Sequence, residues 1–107
     1  MKSLNQVFLV GFLGADAQIK TFDNGDKVAT LSVATDDSYT PKEGEKVEVT
    51  DWHNVVVKGT KTVEFIESKA KKGAKVILKG IIKTKKKEKD GIKQYNTEII
   101  TKDLKII

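Results

Sequence analysis

No cysteine and no arginine occur in this chain, and it holds a single proline, a single histidine and a single tryptophan. The missing thiols exclude a disulfide framework and a thiolate metal site. One histidine leaves little from which to build a zinc centre. The absence of disulfides suits a reducing compartment such as the cytoplasm. No apolar run approaches the roughly 20 residues of a membrane span. Val7–Leu13, with Ala15 and Ala17 behind it, has the outline of a secretory signal, but Asn5 and Gln6 interrupt its approach. That run reads instead as a strand ending in a turn at Gly14. No serine or cysteine nucleophile stands in a recognisable setting, and no carboxylates cluster as metal ligands do. An enzyme is therefore not expected, nor a metal or a cofactor.

What is present is lysine. The net charge is +5, and it is unevenly spread. Residues 1–57 carry five lysines against nine acids, whereas residues 58–93 carry thirteen lysines against four. Concentrating positive charge in one third of the length suggests a polyanionic partner. A solvated lysine surface is the plain alternative. With 107 residues, one domain spanning 1–107 is expected. A chain this short buries only about two thirds of its unfolded surface, so it needs one compact core.

Strand signals dominate. Val7–Val10 is a short apolar run, and Gln18–Phe22 leads into Asp23-Asn24-Gly25-Asp26. The pieces on either side of Gly14 are read as one bent strand. Asn24-Gly25 predicts a two-residue hairpin in which both turn residues take positive φ. Lys27–Thr35 follows as a β-branched strand, Asp36–Lys46 as a long mobile hairpin loop, and Val47–Lys58 as the third strand. Lys61–Lys72 then places Val63, Ile66 and Ala70 at helical spacing. Thr60 or Thr62 is the candidate cap and Gly73 the stop, with Lys69, Lys71 and Lys72 near the negative end of the dipole. Lys75–Lys85 and Lys93–Ile107 are the last two strands. Asp90-Gly91 makes a second tight turn between them, and the biased segment Lys83–Lys89 falls where a hairpin tip should be. Three strands, a helix and two strands is the element order of the oligonucleotide-binding barrel. The fold expected is all-β, a five-stranded Greek-key barrel with one helix between strands 3 and 4.

Alternation along Val47–Lys58 sorts its side chains into two sets. Val47, Val49, Asp51, His53, Val55 and Val57 share one side; Glu48, Thr50, Trp52, Asn54, Val56 and Lys58 share the other. Trp52 thus falls on the polar side and is expected to meet solvent or a ligand. An open indole beside a cation suits base stacking. Packing under a loop or in a subunit contact is the alternative. Lys75, Lys79, Lys83, Lys85 and Lys87 share one parity of the fourth strand, and Val76, Leu78, Gly80 and Ile82 the other. Such a row can track a phosphate backbone or simply be a wet face. Tyr39, alone in a polar loop, is a candidate ligand contact, and Tyr95 stays open. Phe8, Phe12, Phe22 and Phe65 lie in or beside apolar runs and are expected in the core. His53 is read as a satisfied buried or interfacial histidine.

These residues resemble the bacterial single-stranded DNA-binding proteins. Asn5-x-Val7-x-Leu9-x-Gly11-x-Leu13-Gly14 resembles the family's opening, and Val28-Ala29 with Ser32-x-Ala34-Thr35 its second strand. Thr50-Asp51-Trp52-His53-x-Val55-Val56 resembles its most specific signature. Lys72-Gly73, Gly80, Lys83-x-Lys85, Gly91 and Tyr95-x-Thr97-Glu98-Ile99 continue the pattern in order. The resemblance implies a protein that holds single-stranded DNA without sequence preference in replication, recombination or repair, associated with the nucleoid. It implies a homo-oligomer, usually a tetramer, with a dimer the other option. Stacking roles carry over to Tyr39 and Trp52, and backbone contacts to Lys20, Lys61, Lys72, Lys83 and Lys85. His53, with Asn5 and Val7, maps to the subunit interface. Two departures replace family aromatics with charge, at Lys58 near the end of the third strand and at Lys87 after the basic run. Steeper salt dependence is then expected. The family's acidic tail, which recruits replication and repair enzymes, has no counterpart before Ile107. Either this is a trimmed piece or a short member from a phage, plasmid or mobile element. An adaptor acting mainly through protein partners in replication restart is the alternative function.

Overall fold

The computed structural model describes residues 3–107. Its strands are β1 (Val7–Leu13), β2 (Gln18–Thr21), β3 (Lys27–Asp36), β4 (Thr50–Lys58), β5 (Lys75–Lys89) and β6 (Ile92–Ile106), with one helix, α1 (Thr60–Glu67), between β4 and β5. The sheet order is β1-β5-β6-β4-β3-β2, and a further β1–β3 pairing closes the ring. This is the five-stranded barrel of the oligonucleotide-binding fold. β1 and β2 count as two strands, yet both lie along β3: Phe12 opposite Ala34, then Gln18 opposite Thr30. The bent first strand of the sequence reading is that pair.

The core follows the alternation. Leu13, Leu31, Val33, Val55, Val57, Val76 and Leu78 point inward, and α1 adds Val63 and Ile66. Burying each such side chain stabilises the fold by about 1.5–3 kcal/mol before cavity terms. Val55, Val56 and Val57 are all buried, so the two-sided pattern of β4 fails there. The strand is covered on both faces where it pairs in parallel with β6.

Several expectations are corrected. At Asn24-Gly25 only Gly25 has positive φ, and its N–H bonds the Phe22 carbonyl. The loop is a longer turn with glycine in the left-handed position. Asp90-Gly91 is where both turn residues take positive φ, joining Lys89 to Ile92. The helix ends at Glu67 rather than Lys72, and Gly73 lies outside it. Neither threonine caps it: Gly59 is the N-cap, with no side-chain bond. The Thr60 hydroxyl is used elsewhere, accepting from the Lys27 N–H at 3.3 Å and reaching Asp26 Oδ1 at 3.5 Å.

The two expected loops are also ladders. Tyr39 and Val47 exchange backbone bonds of 3.0 and 2.8 Å, so the β3–β4 hairpin continues into residues 37–49. Lys83–Lys89 is not a tip but the outer half of β5, paired with β6 to its end. Finally, Phe8, Phe12, Phe22 and Phe65 are exposed rather than in the core. On β1 the inward positions belong to Leu9, Gly11 and Leu13, which leaves Phe8, Val10 and Phe12 outside.

Candidate nucleic-acid interface

Trp52 stands on the outer face of β4 and is 62% exposed. Its neighbours across the ladder are Ala34 and, two residues on, Ser32. Small partners leave the ring uncovered. The six-membered edge of the indole lies against Gly14, where any Cβ would collide with it. A backbone bond from Gly14 N–H to Ser32 O, 2.9 Å, fixes that floor. The ring is thus held on one side and open on the other.

Register locates the lysines relative to it. Val56 pairs with Ile100, and Ile100 with Ile81, so these three share the outer face. Four residues back along β4 is Trp52; four back along the parallel β6 is Asn96, which pairs with Lys85. Glu98, Asn96 and Gln94 lie opposite Lys83, Lys85 and Lys87 on that same face. The indole and these three lysines therefore share a side and an end of the barrel, one strand apart. β5 and β6 continue past the barrel there as a two-stranded arm. A hollow of about 580 Å³ on it is lined by Lys85, Lys87, Gln94, Tyr95, Asn96 and Glu98. One cation is partly engaged already, Lys85 with Glu98 at 3.6 Å.

Lys79 belongs to the row by parity but not by place. It sits between Phe8 of β1 and Asp103 of β6, roughly 20 Å along the strand from Lys85. Tyr39 is exposed, and the continuous register places it with Val47 on the opposite side of its hairpin from Trp52. Lys20, Val28 and Lys58 form one row across β2, β3 and β4. Lys61 is exposed in the first turn of α1, and Lys72 lies beyond it, its N–H bonded to Asp16 Oδ1 at 2.7 Å.

His53 is satisfied as read: Nε2 pairs with Thr35 Oγ1 at 2.8 Å. The Asn5 amide is committed within the chain. It accepts from the Ile82 N–H at 2.9 Å and donates to the Ile82 carbonyl at 2.8 Å, extending the β1–β5 ladder by one rung. Val7 packs partly against the core. Asp36 accepts from the Ser38 hydroxyl and N–H, which holds its carboxyl below the usual carboxylate range. Among the described residues no group of three or more His, Cys, Asp or Glu is arranged to hold a metal ion, and no helix is long and apolar enough to cross a membrane. The exposed ring of Phe22 escaped the sequence reading because it borders an apolar run. Its outward parity with Lys20 was the available signal.

A model of the single-strand binding protein family matches residues 4–107. Among solved structures, a chain from Plasmodium falciparum SSB in complex with single-stranded DNA is 35% identical, with a TM-score of 0.87, covering 100% of this chain and 97% of that one. The wild-type single-stranded DNA binding protein of Thermus aquaticus is 28% identical, with a TM-score of 0.80, and a deletion mutant of it reaches 0.81. Both comparisons cover 97% of this chain and 50% of the Thermus chains, so this chain spans about half their length.

Proposed function

The chain belongs to the single-strand binding protein family, and on that premise we propose that it binds and protects single-stranded DNA without regard to base sequence. No bond is made or broken. Bases stack on the open indole, a contact worth about 1–3 kcal/mol that any base can make. Phosphates are neutralised by Lys83, Lys85 and Lys87 on the arm, by Lys20, Lys58 and Lys61 around the other end of the face, and by Lys72 beside the β1–β2 connection, where its N–H meets Asp16. Tyr39 reaches the strand where it turns round the edge of its hairpin. The whole of residues 1–107 acts as one binding domain, in the nucleoid of the cytoplasm.

The observation that carries this reading is the placement of an uncovered tryptophan and three lysines on one side and one end of the barrel. The adaptor alternative is not favoured. The likeness to a chain solved with single-stranded DNA runs over the whole length, and the residues for direct contact are present.

A homo-oligomer is supported by a separate surface, and the preference for a tetramer over a dimer rests on the family resemblance. Phe8, Val10 and Phe12 form a continuous outward stripe on β1, and Ile77 of β5 lies opposite Val10. Soluble monomers rarely leave such a patch open, and a self-complementary one suits a two-fold contact. Asn5 and Val7 precede this stripe but share the inward parity of Val7, and His53 stands on β4 with β3 between, so their part in the proposed interface rests on the family resemblance alone.

Titration of Trp52 fluorescence with oligo-dT tests the reading. Quenching should saturate, and log affinity should fall linearly with log salt at about 0.7 per phosphate contact. An unchanged emission or a flat salt response would remove the mechanism.

A further inference from the structure

Phe22 is 43% exposed at the end of β2. Ile19, of the other parity, packs on the core, so Lys20 and Phe22 face outward on the side of the sheet that carries Trp52. The Lys20 ammonium lies over the Phe22 ring, 5.2 Å from its centre. Beside it opens a cleft of about 290 Å³ lined by Phe22, Asp26, Lys27, Val28, Lys58 and Thr60. The walls are fixed. The Phe22 N–H bonds Asp26 O at 2.8 Å, Thr60 ties the hairpin to the helix, and Lys27 reaches Glu64 at 3.7 Å. A ring held on a braced hairpin, beside an open cleft and two cations, costs little ordering to engage a flat partner.

We propose that Phe22 is a second stacking platform for an unpaired base, with Lys20 and Lys58 taking the phosphates on either side of it. The proposal rests on the single-strand reading above. Trp52 and Lys58 are six residues apart on one face of β4, about 20 Å. A strand lying along β4 from the indole thus arrives at Phe22 within the several nucleotides an oligonucleotide-binding barrel covers. The cation over the ring strengthens it as a platform, since a base can stack on the ring while its phosphate meets the same ammonium.

The test uses the full chain and a labelled oligo-dT of about 16 nucleotides, followed by anisotropy across a salt series. Phe22→Leu keeps an apolar side chain against Val28 and the Lys20 stem but removes the ring. It should weaken binding about tenfold at every salt concentration, giving a line parallel to wild type, and Phe22→Tyr should restore it. Lys20→Ala should instead flatten the line by about one contact. An oligo-dT carrying 5-iodouracil should photocrosslink to Phe22. Wild-type affinity in Phe22→Leu, with no adduct at Phe22 while Trp52 is still quenched, overturns the proposal and leaves the single-strand reading intact. A change of slope without loss at low salt also overturns it, because the ring then only steadies Lys20. If wild type fails to bind oligo-dT at all, both readings fall.

Discussion

Two outward faces of this barrel carry exposed aromatic rings, and they differ in the company those rings keep. On β4 the indole of Trp52 is surrounded by Ala34, Ser32, Asn54 and, on the arm, lysines. On β1 the rings of Phe8 and Phe12 flank Val10 and lie along Ile77. Exposure alone assigns neither face. A ring among polar groups and cations offers one flat surface to a flat, charged partner. Rings among aliphatic side chains offer a contiguous apolar area, which only another apolar area can match. One sheet thus presents two chemistries, and they should separate by mutation.

The largest effect is expected on the apolar side. Phe8→Glu places a charge in the proposed two-fold contact and enters it twice by symmetry. Burial of one phenylalanine is worth about 1.5–3 kcal/mol, so the pair forfeits roughly double that, and sedimentation should show smaller species. Retention of the wild-type mass would move the subunit contact off β1. Next comes the polar side. Trp52→Ala should weaken oligo-dT binding by about 1–3 kcal/mol while leaving the sedimentation unchanged. Full affinity in a folded Trp52→Ala protein would discard the indole as a platform. Should either substitution shift both properties together, the two faces are not independent.

The smallest effect concerns Asp36, at the root of the hairpin that leads to Tyr39. Its hydrogen bonds from Ser38 depress the folded-state pKa. The stability it lends is therefore present above the ordinary carboxylate range and is lost as pH falls below it. Faster amide exchange at Ser38 and Val49 in acid, absent in Asp36→Asn, is the expected result. It should leave both aromatic faces unaffected at neutral pH.

Sequence and structure agree where local rules decide. The side taken by Trp52 was legible because alternation is a property of the strand itself, and no bulge intervenes between Thr50 and Lys58. On β5 the same rule holds only as far as Gly80: Val76, Leu78 and Gly80 are buried, but Ile82, expected with them, is exposed where the strand leaves the barrel. The turns were not equally legible. Asn24-Gly25 and Asp90-Gly91 present the same local chemistry, and only the pairing of the flanking strands decides which becomes the two-residue turn. The helix start was misread because the Thr60 hydroxyl is drawn to Lys27 and Asp26, more than thirty residues earlier. The phenylalanines were misread because an apolar run has two sides. Which side becomes core on β1 depends on β3 and β5 packing against Leu9 and Leu13, not on the run.

Gly14 joins two of these themes. The chain leaves β1 there, and the indole of Trp52 leans on the space where a methyl group would otherwise stand. A seam in the scaffold and the seat of the ring are therefore the same atom's vacancy. Enlarging it by one carbon would meet only the indole and push it off its seat, so the size of the residue at the bend sets where the stacking surface lies.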